Sequence, residues 1–144
     1  MKCAEIADAV IARMPNYKFV RLNFPGGDLV GHTADVEATM LAMEAIDLSL
    51  KRIADEVDKL GGVMIIVADH GNAEELLDEG GNKKTAHTTN QVPCIIYDNT
   101  PNRGKYELSD IANPGLANLA SALAVLLGYN ECPSSWGKSL IKVL

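Results

Sequence analysis

The sequence predicts an α/β fold, a mostly parallel sheet with helices on both faces. Three observations predict it. Val63-Met64-Ile65-Ile66-Val67-Ala68 is apolar at consecutive positions, as in a strand covered on both sides. Val36, Met40, Met43, Ile46, Leu50, Ile53, Val57 and Leu60 step by threes and fours, so one long helix carries a continuous apolar stripe up to that strand. Long crossovers, not two-residue turns, separate the strand-like stretches, which suits parallel pairing.

Each element follows from its residues. Ile6, Val10 and Met14, with Ala9 and Ile11 beside them, predict a helix over 2–14 that Pro15-Asn16 stops. Tyr17–Asn23 holds Tyr17, Phe19 and Val20, which favour extended backbone, and is expected as a strand. Pro25-Gly26-Gly27 reads as a breaker. The long helix takes Asp35 as its N-cap and Gly61-Gly62 as its stop. A strand follows it at once, so it is expected to pack on a sheet, with its methionines as core filler. Residues 71–91, with Gly80-Gly81-Asn82 and few apolar side chains, are expected as a long loop. Glu74-Glu75 reads as a solvated helix face and Lys83-Lys84 as a solvated loop pair. Val92–Tyr97 is a further strand, with Pro93 at its start and Cys94 as a small core hydrophobe. Asp98–Lys105 is turn-rich, Leu116–Leu127 is helical up to Gly128, and Trp136–Leu144 has no clear pattern.

Composition bounds the function. A chain of 144 residues with 47% hydrophobic and 22% charged side chains is expected to be one globular domain. Thirteen basic against 19 acidic residues leave a net charge of −6, a poor basis for holding nucleic acid or anionic lipid. The longest apolar run is far short of a membrane span, and the N-terminus is amphipathic and acidic from the start. Neither a membrane partner nor a signal peptide is expected. Cys3, Cys94 and Cys132 are odd in number and lack CxxC spacing, which points to a reducing, cytoplasmic setting. Gly26-Gly27 lacks the spacing of a dinucleotide-binding loop.

The chemistry concentrates at three histidines. His32 lies four residues after Asp28, so one helical turn would bring both onto one face. His70 follows Asp69 directly at the end of the Val63–Ala68 strand, and His87 lies in Thr85-Ala86-His87-Thr88. Ligands of open α/β sheets gather beyond the carboxyl ends of strands, where these loops belong. Oxygen and imidazole donors together suit zinc or manganese, with iron and cobalt as alternatives. On the residues alone, a metal site and a set of unrelated loop histidines both remain open.

Three stretches together resemble the cofactor-independent (2,3-bisphosphoglycerate-independent) phosphoglycerate mutases of the alkaline phosphatase superfamily. They are Asn23-Phe24-Pro25-Gly26-Gly27-Asp28-Leu29-Val30-Gly31-His32-Thr33, Ala68-Asp69-His70-Gly71-Asn72-Ala73-Glu74, and Thr85-Ala86-His87-Thr88-Thr89-Asn90-Gln91-Val92-Pro93. The resemblance implies an alkaline-phosphatase-like fold, here incomplete, that binds two divalent ions. Mn2+ is the first choice, with Zn2+, Mg2+ or Co2+ as alternatives. By resemblance, Asp28, His32 and His87 would hold one ion, and Asp69 with His70 would form part of the site for the other. The family interconverts 3-phosphoglycerate and 2-phosphoglycerate in glycolysis through a phosphoserine.

The departures bear on what this chain can do. Family members are several times longer, and carry the nucleophilic serine in an N-terminal segment and the glycerate-binding residues in an inserted transferase domain. None of Ser49, Ser109, Ser121, Ser134, Ser135 and Ser139 matches the nucleophile's motif. Residues 1–144 are therefore expected to be the C-terminal segment of the metal-binding phosphatase-like domain, with little or no activity alone. The expected partners are the small phosphoglycerate substrate of the full-length enzyme, and either an N-terminal partner segment or further copies of the chain. The competing readings are a non-catalytic metal-binding fragment that self-associates, and a related metal-dependent phosphopentomutase or phosphodiesterase.

Overall fold

The computed structural model describes residues 2–129, 132–133 and 135–144. The chain divides into two units, Met1–Tyr97 and Asp98–Leu144. The first holds helices α1 (Cys3–Arg13), α2 (Gly26–Gly31) and α3 (Val36–Lys59), strand β1 (Val63–Val67) and most of β2 (Cys94–Asp98). The two strands are neighbours in a two-stranded sheet.

Local chemistry explains where these elements begin and end. Pro15 sits in a 3₁₀ turn, Met14–Asn16, that continues α1; early in a helical turn its missing N–H removes no bond. The Asp35 carboxylate accepts from the Ala38 amide at 2.9 Å and caps α3. At the other end Gly61 takes a left-handed φ of +64°, and the Gly62 amide reaches back to Val57 O at 2.9 Å. α3 packs on both α1 and α2. The core joins Ala7 and Met14 to Ile53, with Val10, Ile11, Leu22, Phe24, Val57 and Met64 around them. An Arg52–Asp8 ion pair links α3 to α1 at the surface.

Several expectations are corrected. Tyr17–Asn23 is not a strand: no backbone hydrogen bond joins residues 18–24 to another segment among the described residues, and Phe19 is 51% exposed. Extended propensity cannot make a ladder without a neighbour in register. β1 is half-buried, not covered on both faces, because among the described residues β2 alone pairs with it. Cys94 is exposed at the open start of β2, so it is not a core thiol. Pro25-Gly26-Gly27 does not break helix formation; α2 starts there, with Pro25 as its N-cap. The α3 stripe is only partly covered. Ile53 is buried, whereas Val36, Met40, Met43 and Leu60 are exposed, so those two methionines do not fill a core. Ser49 is buried on that helix, whereas its neighbour Leu50 is only half-buried. Glu74-Glu75 lies in a loop, not on a helix, and Lys84 is ion-paired with Glu75.

The second unit holds β3 (Tyr106–Leu108), α4 (Leu119–Leu126) and β4 (Ile141–Val143). β3 and β4 pair antiparallel, with Leu108 opposite Ile141 and Tyr106 opposite Val143. Neither strand was expected, since three residues show no periodicity. α4 is introduced by a 3₁₀ turn, Leu116–Asn118, and the chain leaves it at Gly128 with φ +87°. Asn118 Nδ2 donates to Lys138 O at 2.7 Å and Ser121 Oγ to Gly137 O at 2.5 Å, fastening the tail over the helix. Gly137 is required there, because a Cβ would stand 2.7 Å from Ala117 O.

Asp98 opens this unit. Its carboxylate accepts from the Thr100 amide and the Tyr106 hydroxyl, both at 2.7 Å. Burial opposes ionisation, but these hydrogen bonds outweigh it and hold the Asp98 carboxyl below its usual range. Burial, the bond to Asp98 and that carboxylate's charge push the Tyr106 hydroxyl up to about 12. The folded value lies above the ordinary 10.0, so this pair's stabilisation is complete below pH 10.0 and lost as pH rises through about 12. An ultraviolet titration is expected to show a tyrosine step near pH 12 that Tyr106→Phe removes and Asp98→Asn moves back toward 10.

Candidate metal centre

α2 is short, but it sets two donors in place. Asp28 and His32 lie one turn apart, and His32 Nε2 comes to 3.2 Å from Asp28 Oδ1. The chain then turns sharply. Ala34 adopts φ +47° and donates its amide to Gly31 O at 2.9 Å, a left-handed step that ends α2 and leads directly to the Asp35 cap. The ligand helix is thus coupled to the start of α3.

His87 arrives from the 71–91 loop, which is irregular apart from isolated bridges at Gly71–Thr88 and Leu77–Lys83. Its Nε2 stands 3.0 Å from Asp28 Oδ1 and 3.2 Å from His32 Nε2. On the far side of the His32 ring, Nδ1 lies 2.6 Å from Thr85 O. A carbonyl only accepts, so Nδ1 carries the proton and donates. Neutral His32 then presents a bare Nε2 lone pair to the cluster.

These three donors fit a divalent cation. Atoms bound ~2.1 Å from one ion and about 90–110° apart lie ~3.0–3.4 Å from each other. The spacings here are 3.0, 3.2 and 3.2 Å. Nitrogen and oxygen lone pairs so close repel unless a cation or a proton sits between them. Asn72, only 4% exposed, supports the carboxylate by donating Nδ2 to Asp28 Oδ1 at 3.1 Å. Its own Oδ1 is buried without a hydrogen-bond partner among the described residues. Leaving that oxygen unpaired is costly, so the amide is held by its grip on Asp28.

The other two sequence candidates stand apart from this donor set. Among the described residues, the group able to hold one ion is Asp28, His32 and His87; neither Asp69 nor His70 joins it. His70 stacks on His87 with ring centroids 3.7 Å apart, so it borders the cluster through its ring face. Asp69 is largely exposed, its Oδ2 3.7 Å from His70 Nε2.

Four supporting residues were not expected to support the centre from sequence: Thr85, Asn72 and Thr88, and Glu74, which was read as part of a solvated helix face. Thr85 acts through its backbone carbonyl, which carries no residue signature. Glu74 accepts from the Asn72 amide at 2.7 Å, from the Thr88 hydroxyl, and from Asn90 Nδ2 at 3.0 Å. The Thr88 hydroxyl first, and against the effect of burial, lowers the Glu74 carboxyl from 4.5 to about 2. Nothing in the spacing of Glu74-Glu75 distinguishes such an acceptor from a surface carboxylate.

Comparison with known proteins bears on the same residues. The metalloenzyme superfamily model matches residues 1–131, which include every residue of the cluster. The chain belongs to the metalloenzyme superfamily. It is similar to relatives named 2,3-bisphosphoglycerate-independent phosphoglycerate mutase. The one from Synechococcus is 40% identical over 99% of this chain and 28% of its own length, and the one from Zea mays is 38% identical with the same coverage. A solved phosphoglycerate mutase of Leishmania mexicana, determined at low cobalt concentration, superposes with a TM-score of 0.90 at 37% identity, over 100% of this chain and 29% of that one. The α/β expectation is met by this likeness, within a partial fold. The chain spans about 28% of the length of the curated relatives it matches.

For this metalloenzyme-superfamily centre, Gly31 offers a direct test. A Cβ there would collide with Asn72 Oδ1 and Cγ, displacing the amide that holds Asp28. Gly31→Ala and Asn72→Ala are each expected to weaken Mn2+ affinity about 10-fold or more by titration calorimetry, the range seen when outer-shell partners are lost. Unchanged affinity in both variants would show that the Asn72–Asp28 bond is irrelevant to the centre.

Proposed function

We propose that this chain is the metal-binding part of a 2,3-bisphosphoglycerate-independent phosphoglycerate mutase, whose whole polypeptide interconverts 3-phosphoglycerate and 2-phosphoglycerate. The observation that carries this reading is the convergence of Asp28 Oδ1, His32 Nε2 and His87 Nε2. Two similarities support it: sequences 38–40% identical to mutases over 99% of this chain, and the Leishmania mexicana fold. Asp28, His32 and His87 would hold one divalent ion, with Asp69 and His70 contributing to a second. Mn2+ is the proposed occupant, with Zn2+, Mg2+ or Co2+ as alternatives. When bound, such ions neutralise phosphoryl oxygens and favour ionisation of an attacking hydroxyl.

The residues of this chain then have distinct tasks. Asp28 contributes the negative charge of the donor set. His32 offers Nε2 in an orientation set by the Thr85 carbonyl. His87 closes the triangle from a separate loop. None of these groups can carry a phosphoryl group as an alkoxide nucleophile would. The unit that bears the cluster contains one serine, Ser49, which is buried in α3 and donates to Ala45 O at 2.7 Å. Ser121 is buried as well, and Ser134 lies outside the described residues. By the family resemblance, whose nucleophile motif none of this chain's serines matches, the phosphoserine chemistry would draw on a serine outside residues 1–144.

Glycolysis in the cytoplasm is the proposed setting; among the described residues, no helix is long and apolar enough to cross a membrane. The first unit exposes Tyr17, Phe19 and Val20 on an irregular segment, and Met40, Met43 and Leu41 on α3. Apolar surface of this kind calls for cover, from a partner segment of the enzyme or a second copy.

Four outcomes are expected of the purified chain. It binds Mn2+ in calorimetry, His87→Ala weakens that binding at least 10-fold, and no 3-phosphoglycerate is converted in a coupled assay. Metal binding that survives His87→Ala intact would refute the centre. Light scattering should give a mass above the 15.4 kDa of one chain, and a clean monomer at high concentration would argue against an uncovered apolar face.

A further inference from the structure

Glu74 contributes no atom to the donor set, yet it ties the stretch beside His87 to the residue that supports Asp28. Its Oε2 accepts from the Asn72 amide at 2.7 Å. Its Oε1 accepts from the Thr88 hydroxyl and from Asn90 Nδ2 at 3.0 Å. Asn72 is the residue that grips Asp28, and Thr88 directly follows His87. The loops meet again where the Thr88 amide donates to Gly71 O at 2.9 Å. A Cβ at Gly71 would run into Thr88 Oγ1 and Glu74 Oε1, so this cross-link closes over a residue without a side chain.

His87 needs such a restraint. Its side chain is 46% exposed on a loop with little regular structure. The contacts of its ring, the stack on His70 and the approach to Asp28, do not fix its backbone. Exposed loops with few buried contacts sample many conformations unless cross-linked. A carboxylate accepting three hydrogen bonds is a strong cross-link, because its charge strengthens each one. Its acceptor-only character also matters, since all three facing groups donate.

We infer that Glu74 is a positioning residue, joining the Gly71–Asn72 and Thr88–Asn90 stretches so that the His87 imidazole faces Asp28 and His32. The consequence for cation affinity rests on the metal-centre reading; the positioning itself does not. Glu74 acts through His87, and its loss is felt where His87 works.

Two measurements on the 144-residue chain test this separately. In the metal-free protein, Glu74→Ala is expected to move the NMR ring signals of His87 and its stacking partner His70 toward those of an unstructured histidine. Signals from the α1–α3 core should stay in place. In Mn2+ calorimetry, Glu74→Ala is expected to weaken binding about 10-fold or more, as loss of an outer-shell partner does. In a His87→Ala background the same change should cost nothing further. Thr88→Val, which removes a single donor, should move the same ring signals less, and serves if Glu74→Ala does not fold. The inference is overturned if the ring signals of His87 stay unmoved in both variants, or if the Glu74→Ala loss is fully additive with His87→Ala. A wild-type chain that binds no Mn2+ while Glu74→Ala still displaces His87 removes the metal centre and upholds the positioning role.

Discussion

Two imidazole nitrogens and a carboxylate oxygen share a space about 3 Å across, and the surrounding structure is arranged around that crowding. Lone pairs do not tolerate this separation by themselves. A proton on His87 Nε2 relieves part of the repulsion, and a divalent ion relieves all of it by accepting from every donor at once. The cluster is held by its surroundings: Thr85 O lies behind His32, Asn72 Nδ2 donates to the same Asp28 Oδ1 that faces the histidines, and the His70 ring stacks on His87. Such partners orient ligands as metal-site outer shells do.

The scaffold delivers these groups from three separate places in the chain. α2 provides two donors a turn apart, and the left-handed step at Ala34 links that short helix to the Asp35 cap of α3. α3 is anchored by Ile53 in the core that also takes Ala7 and Met14 from the N-terminal stretch. A helix of six residues has little stability of its own, so its geometry derives from the 24-residue helix on which it packs. The third donor comes on a loop with no comparable support, which is why hydrogen bonds to Glu74 stand where packing stands elsewhere.

The same structure leaves apolar surface exposed. Residues 18–24 have no backbone partner in another segment among the described residues, and the N-terminal half of the α3 stripe faces outward. In the metalloenzyme superfamily the chain corresponds to under a third of the curated relatives it resembles, and a sheet of two strands is small for helices of this length. The half-burial of β1 and the exposure of Cys94 have that common cause, because burial on both faces needs neighbours that two strands do not provide.

Residue spacing alone located α1, α3 and most of α4, the Asp35 cap, the Gly61 stop and the strands expected over 63–68 and 92–97, because helix periodicity, capping and β-propensity are local properties of consecutive residues; it did not show that the 116–127 helix opens as a 3₁₀ turn. It also brought Asp28 and His32 together, since they are one turn apart. Spacing could not add His87 to them; the family resemblance grouped the three, and tertiary structure brings His87 in from 55 residues beyond His32, leaves Asp69 and His70 outside the three-donor set, and adds Asn72 and Glu74 as supports. Loop closure follows from hydrogen bonds between residues far apart in the chain, and such bonds leave no period to read. Burial was misjudged at Cys94 and Met40, and strand pairing at Tyr17–Asn23, for a related reason: a side chain's pattern states which face it shares, but only the neighbouring elements decide whether that face is covered or that strand is paired.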